Sequence, residues 1–233
     1  MMGKILFLSG AGLSAQSGIS TFRDSGGLWE EHDVMEVCSV AGYAKNPSKV
    51  HSFYDKRRAE LKDKEPNSAH KMIASLKNRF PNRVSVITQN VDNLLEKAGC
   101  KEPIHLHGEL THLRCLKCEQ IFYHGYETQD KAVCKKCGSQ NIRHHIVMFG
   151  EPAPMYKVLY EELEKTELLV CIGTSGEVID VASMAMLTKD SILNNIEKIP
   201  KIDRYFKNLF TMPATEAAPL IKEYCLDFLK ENL

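Results

Sequence analysis

The sequence predicts an α/β protein centred on a parallel sheet, and three observations carry that prediction. Three short apolar runs, Lys4-Ile5-Leu6-Phe7-Leu8, Val84-Ser85-Val86-Ile87-Thr88 and Leu168-Leu169-Val170-Cys171-Ile172, each stop at a polar or glycine-containing loop. Runs of this length read as buried strands, and the loops at their carboxyl ends are where open α/β sheets collect ligands. The stretches between them suit crossover helices. The 233-residue length and 43% hydrophobic content fit a chain able to bury a large core.

The first run enters Gly10-Ala11-Gly12-Leu13-Ser14-Ala15-Gln16-Ser17-Gly18, where a glycine turn leads into an expected small-residue helix. Such a turn can present backbone N–H groups to a phosphate, although the same glycines can serve a tight turn alone. The spacing is not G-x-G-x-x-G, since the third glycine comes eight positions after the first. Residues 39–82 read as a helical insertion, entered near Asn46-Pro47 and interrupted at Pro66-Asn67. The second run ends at Gln89-Asn90-Val91-Asp92 and the third at Gly173-Thr174-Ser175.

Cys115, Cys118, Cys134 and Cys137 make C-x2-C-x15-C-x2-C, the spacing of a zinc ribbon. Four thiolates fill a tetrahedral site and leave no position for an activated water, so the expected zinc is structural. Redox-active pairs are the competing reading. The expected division is a discontinuous Rossmann-like domain (1–38, 83–112 and 144–233), the helical insertion (39–82) and a zinc-ribbon subdomain (113–143).

Composition narrows the partners. The 30 basic and 30 acidic side chains balance, so no overall field draws the chain to nucleic acid or to an anionic membrane. The ribbon alone is locally basic, with Lys117, Lys131, Lys135, Lys136 and Arg143, which keeps a nucleic-acid-binding module as an alternative. No apolar run approaches the roughly 20 residues of a membrane helix. Lys4 precedes only four apolar residues before Ser9 and Gly10, too few for a secretory leader, and Gly3 follows two methionines, unlike a myristoylation signal. A cytoplasmic protein without membrane partners is expected.

The run from Gly10 through Ser14, Gly18, Thr21-Phe22-Arg23-Asp24 and on to Trp29 closely resembles the signature segment of the sirtuins, NAD-dependent protein lysine deacylases. Further segments resemble the same family in the same order: Thr88-Gln89-Asn90-Val91-Asp92, His107-Gly108-Glu109, Val147-Met148-Phe149-Gly150-Glu151 and Gly173-Thr174-Ser175. The resemblance implies NAD as co-substrate, one structural zinc on the four cysteines, and acylated lysine side chains as substrate. It implies cofactor contacts from Gly10, Ala11, Gly12, Ser14, Ala15, Gly18, Ile19, Phe22, Arg23, Trp29, Gln89, Asn90, Val91, Asp92, Gly173, Thr174 and Ser175. Phe22 and Arg23 would sit in a lid over nicotinamide and ribose, and Val147, Phe149, Gly150 and Glu151 would bind the acyl-lysine.

The residue chemistry agrees. Breaking a nicotinamide–ribose bond needs an amide-specific pocket, for which Asn90 and Asp92 offer a donor and acceptors, while Gln89 can reach the ribose. His107 is the candidate general base, because an imidazole can take a ribose proton near neutral pH; a core histidine is the blander reading. The implied reaction begins with attack of the acyl oxygen on the ribose carbon as nicotinamide leaves, and ends with free lysine and O-acyl-ADP-ribose. A mono-ADP-ribosyltransferase using the same site is an alternative, against which His107 and Phe149-Gly150-Glu151 speak.

Departures from the family pattern lie late in the chain. Glu177-Val178-Ile179-Asp180 stands where many sirtuins carry a Pro-Ala pair. Ile192-Leu193-Asn194-Asn195-Ile196-Glu197 resembles the late I-N-x-E strand, implying Asn195, Ile196 and Glu197 at the adenosine. In Met212-Pro213-Ala214 a methionine replaces the usual glycine before Ala214, the implied adenine contact.

Finally, Phe53-Tyr54-Asp55-Lys56-Arg57-Arg58 resembles the F-Y-x-x-R-R segment of the sirtuin class that prefers succinyl- and malonyl-lysine. Tyr54 and Arg57, three apart, share a helix face. A guanidinium can grip a carboxylate bidentately and a phenol can add a third hydrogen bond. The competing reading is a solvated basic face, with Lys56 and Arg58 flanking Arg57.

Overall fold

The structure, a computed structural model, describes residues 3–21 and 34–231. In chain order the strands are β1 (Ile5–Ser9), β2 (Val84–Thr88), β3 (Ile104–His105), β4 (Gly108–Cys115), β5 (Ile121–Tyr123), β6 (Ile142–Ile146), β7 (Leu168–Ile172), β8 (Asp190–Asn195) and β9 (Asn208–Thr211). The helices are α1 (Val34–Val37), α2 (Val40–Lys45), α3 (Pro47–Glu60), α4 (Ser68–Arg79), α5 (Leu94–Lys97), α6 (Met155–Leu163), α7 (Val181–Met186), α8 (Pro200–Asp203) and α9 (Ala214–Glu231).

A six-stranded sheet in the order β3-β2-β1-β7-β8-β9 is parallel throughout. Ile5 stands level with Val84 on one side and Leu168 on the other, so the three expected strands lie side by side at the centre. Both faces are covered, which is why these strands are apolar without alternation. Ile5, Phe7, Val84, Val86, Leu168 and Val170 pack against α4 and α9, whereas Leu6, Leu8, Ile87, Leu169 and Cys171 pack against α6 and α7. Fully burying each such side chain contributes about 1.5–3 kcal/mol. The expected α/β class and Rossmann-like parallel sheet are present.

A second, antiparallel sheet has the order β5-β4-β6. At one end Leu113, Ala132 and Ile142 pack around the four paired cysteines. At the other, Leu110, Ile146 and Met148 pack against Val37, Val50, Phe53, Tyr54 and Leu61 of the helices preceding α4. The stretch 39–82 therefore serves two cores, α3 joining the small sheet and α4 the parallel one. Both helices start where the sequence punctuates them. Asn46 caps α3 by accepting from Lys49 N, with Pro47 in the first turn, and Asn67 caps α4 in a capping box with His70.

Among the described residues, Arg58 is the largest fully buried side chain. Its guanidinium donates to the carbonyls of Leu110 (2.5 Å), Glu127 (2.9 Å) and His112 (3.4 Å), and Asp55 lies 3.6 Å away. Arg58 thus belongs to no solvated basic face: it ties α3 to β4.

Candidate functional site: the carboxyl edge of the parallel sheet

Two glycine loops meet above β1 and β7. Gly10 N donates to Ile172 O at 2.9 Å and Gly12 N to Gly173 O at 3.0 Å. A Cβ on Gly12 would fall 2.6 Å from Gly173 Cα, and one on Gly173, whose φ is +67°, would fall 2.3 Å from Leu13 N. Only glycine permits this backbone approach. The expected small-residue helix is instead two 3₁₀ turns, Ala11–Leu13 and Ala15–Ser17, ended by Gly18 at φ +76°. Glycine and serine are weak helix formers, and tertiary contacts take the Ser14 hydroxyl.

That hydroxyl is the centre of a buried node. Ser14 Oγ donates to Asp92 Oδ2 at 2.8 Å, and Asn90 Nδ2 donates to Ser14 Oγ at 3.2 Å. His70 Nε2 lies 3.3 Å from the same oxygen, while His70 Nδ1 accepts from Asn67 N. Burial pushes the His70 pKa down to about 4, so the ring is neutral and its Nε2–H is the donor. Asp92 Oδ1 accepts from Leu94 N at 3.0 Å, and burial pushes its carboxyl up. Gln89 Nε2 donates to Thr174 Oγ1 at 3.1 Å, and Asn195 Nδ2 donates to the Thr174 carbonyl at 3.0 Å. The sheet edge thereby assembles Ser14, Gln89, Asn90, Asp92 and Thr174 from the loops after β1, β2 and β7, and Asn195 from the end of β8. Ile196 and Glu197 follow β8 on the surface, and Ala214 opens α9, buried on the sheet core. Val91 O accepts from Leu110 N at 2.9 Å, and Val91 and Ile19 pack toward the small sheet's apolar cluster. Phe22, Arg23, Asp24 and Trp29 lie outside the described residues.

His107 follows β3. Its Nδ1 is 3.0 Å from Gln89 O and its Nε2 3.0 Å from the Tyr156 hydroxyl. A carbonyl only accepts, so Nδ1 carries the proton and Nε2 presents its lone pair. Burial lowers the His107 pKa, and the Gln89 contact opposes the shift. His105 makes the matching contact to Asn90 O at 2.8 Å and pairs with Glu96 at 2.8 Å.

Beyond His107 the chain runs beside the small sheet. Val147 N donates to His107 O at 2.9 Å, Phe149 N to Cys38 O at 2.8 Å, and Val40 N to Phe149 O at 3.0 Å. Phe149 is 46% exposed, and Gly150 turns with φ +90°. Glu151 closes its own turn through Met148 N (2.9 Å) and Arg143 (2.5 Å). Tyr54 is buried on α3, close enough to Cys38 for each side chain to bear on the other's ionisation. Arg57 is half-buried over the Phe53 ring, its charge close enough to favour ionisation of both Tyr54 and Cys38.

The four paired cysteines converge. Cys115 and Cys137 sulfurs are 3.6 Å apart, as are Cys118 and Cys134, and all four lie within 4.8 Å of one another. Thiolates about 2.3 Å from a tetrahedral zinc sit about 3.8 Å from each other, so the cage has the size of a four-thiolate zinc site. Of the basic ribbon residues, Lys117, Lys131, Lys135 and Lys136 are exposed, but Arg143 is buried and bound to Ile146 O and Glu151.

Sequence patterns missed His70, Tyr156 and Cys38. The capping box marks His70 as a helix start, and nothing local ties it to Ser14.

A parallel α/β sheet with paired glycine loops at its carboxyl edge, beside a four-cysteine ribbon, defines a nucleotide-binding class with a structural metal cage. The chain belongs to the Sir2 family, whose pattern matches residues 10–180. It is 52% identical over 231 residues to the NAD-dependent protein deacylase of Campylobacter jejuni subsp. jejuni serotype O:2, covering 99% of each chain. It is 39% identical to the protein of that name from Helicobacter hepaticus, over 95% of this chain and 97% of that one. Among solved structures, a Sir2 homolog–NAD complex superposes with a TM-score of 0.83 at 32% identity, covering 98% of this chain and 91% of that one. An ADP-ribose complex of a Sir2 homologue mutant superposes at 0.86 with 31% identity, covering 100% and 95%.

Proposed function

We propose that this NAD-dependent protein lysine deacylase removes succinyl and malonyl groups in preference to acetyl, releasing nicotinamide and O-acyl-ADP-ribose. NAD is the co-substrate, as the solved Sir2 homologue complexes with NAD and ADP-ribose indicate. In this reading the paired glycine loops approach the phosphates, while Ser14, Asn90 and Asp92 hold the nicotinamide end and Gln89 and Asn195 serve the riboses. His107 Nε2, its lone pair fixed by the Gln89 contact, takes the proton from a ribose hydroxyl. Phe149 and Gly150 run along the acyl-lysine, with Val147 and Glu151 holding that segment in place. Zinc on the four cysteines supplies folding energy and no chemical step. Residence in the cytoplasm belongs to the same proposal; among the described residues, no helix is long and apolar enough to cross a membrane.

The observation that supports the acyl preference is the link from Phe149 to Tyr54 and Arg57 through Cys38. The Cys38 carbonyl accepts from Phe149 N, and its side chain lies close enough to Tyr54 and to the Arg57 charge for each to bear on its ionisation. A carboxylate at the end of an acyl-lysine lying along Phe149 would meet a phenol and a guanidinium, whereas an acetyl group has no charge to offer them.

The test is a panel of acetyl-, malonyl- and succinyl-lysine peptides with products read by mass spectrometry. A hydrogen bond to a charged group contributes about 1.5–3 kcal/mol, so Arg57→Met should lower catalytic efficiency on succinyl-lysine by about 10–100-fold or more. A weaker acetyl activity should survive. Wild-type preference for acetyl peptides, or equal loss of both activities, would remove Arg57 from acyl recognition, and ADP-ribosylated protein would point to a transferase.

A further inference from the structure

The Tyr156 hydroxyl sits where the base does its work. It lies 3.0 Å from Nε2 of His107, with ring centroids 6.0 Å apart and planes inclined at 47°. Since Nδ1 is committed to the Gln89 carbonyl, Nε2 can only accept, and the phenol must be the donor. Tyr156 stands in the first turn of α6, a helix anchored in the sheet core by Leu159 and Leu163. Its backbone N–H donates to Ala153 O at 3.1 Å.

We propose that Tyr156 is a positioning residue for the base: in the free protein its hydroxyl holds the Nε2 lone pair of His107, and it yields that nitrogen to the ribose hydroxyl when the nucleotide binds. The inference rests on the reading of His107 as general base. A neutral imidazole with one committed nitrogen can still swing about its side-chain bonds, and a donor on the second nitrogen fixes its aim. The same donor competes with a proton for the lone pair, so it favours the neutral, base-competent ring. One turn along α6, Tyr160 is the titratable group whose charge bears on Tyr156. The nearby carboxylates Glu96 and Glu109 face His105, and at His107 burial lowers the pKa against the opposing Gln89 contact.

Tyr156→Phe keeps the ring and removes the donor. Losing one neutral hydrogen bond should raise the pH at which the free His107 ring protonates by about 0.5–1 unit. Histidine ring NMR of the nucleotide-free protein reads this directly, with His107→Ala assigning the resonance. The acid limb of kcat/KM for NAD, which reports the form that meets the nucleotide, should move up by the same amount. The limb of kcat, which reports the complex after hand-over, should stay in place. A merely structural role would move neither. Unchanged His107 titration in Tyr156→Phe overturns the proposal, and a kcat limb that shifts equally overturns the hand-over. Failure of the base reading has a separate signature: near-normal deacylation by His107→Ala.

Discussion

His105 and His107, two positions apart, aim their Nδ1 atoms at successive carbonyls, Asn90 O at 2.8 Å and Gln89 O at 3.0 Å. The pair stitches β3 to the loop that follows β2 and makes Nδ1 the donor in both rings. For His105 burial is the largest influence and pushes the pKa down, but the hydrogen bond and charge of Glu96, the charge of Glu109 and the Asn90 contact together outweigh it and raise the ring's pKa. For His107 no carboxylate among the described residues intervenes, burial prevails, and the pKa falls. Neighbouring histidines are thus tuned in opposite directions, one toward a standing charge and the other toward a free lone pair.

His107→Ala should abolish deacylation while NAD still binds, because the imidazole acts after docking and the glycine loops do not depend on it. Losing a general base lowers rate by about 10²–10⁴-fold. Steady-state kinetics beside calorimetric NAD binding checks this. Near-normal turnover at neutral pH would remove His107 from the mechanism.

Acid should loosen the protein well before its carboxylates titrate. His70 and His144 are buried, each with a pKa lowered from 6.5 to about 4 by desolvation. The unfolded chain takes up protons below pH 6.5 that the folded chain refuses. Their neutral burial therefore costs nothing above pH 6.5, and stability falls as pH drops from 6.5 toward 4. Each contributes about 1.4 kcal/mol per pH unit within that window. Urea midpoints at a series of pH values should show the decline, and His70→Gln should flatten it by one histidine's share. An identical slope in the variant would show that His70 does not resist protonation in the folded state.

The central strands and the cysteine cage were legible because their signals are local. A strand covered on both faces is apolar at every position, and two C-x-x-C knuckles carry their ligand geometry with them. The node around Ser14 was only half legible. Glycines and the Gln89-Asn90-Val91-Asp92 loop stand out in the chain, but His70 reaches Ser14 across 56 positions and Tyr156 reaches His107 across 49. Local spacing has no access to such meetings. The expected helix after Gly10 failed for a related reason, since contacts to Gly173 and Asp92, both distant in sequence, fix the loop in tighter turns.

Zinc should be present at one ion per chain, and the fold of the small sheet should depend on it. Leu113, Ala132 and Ile142 alone make a slight core around the cysteines. Cys115→Ser or Cys137→Ser should therefore give poorly folded protein and not a soluble, selectively inactive enzyme. Elemental analysis showing no zinc in active protein would sink this expectation.

Arg57 and Arg58 should separate cleanly under substitution by methionine, although they are adjacent in the chain. Successive residues on a helix point about 100° apart, so one faces the Phe53 ring and the Cys38–Tyr54 pair while the other enters the core. Arg58 satisfies three carbonyls and faces Asp55, and burial has already lowered its pKa to about 10. Removing it strands those carbonyls and leaves Asp55 with His144 and Gln129 N alone. Breaking a buried pair from one side costs about 3–5 kcal/mol, so Arg58→Met should lower the urea midpoint markedly and reduce every activity with it. Arg57→Met loses the half-buried cation over the Phe53 ring, a contact worth about 0.5–1 kcal/mol at exposed sites; its unfolding should shift far less than that of Arg58→Met while succinyl-lysine turnover falls. Equal destabilisation by the two substitutions would mean that Arg57 holds the fold and is not reserved for a substrate carboxylate.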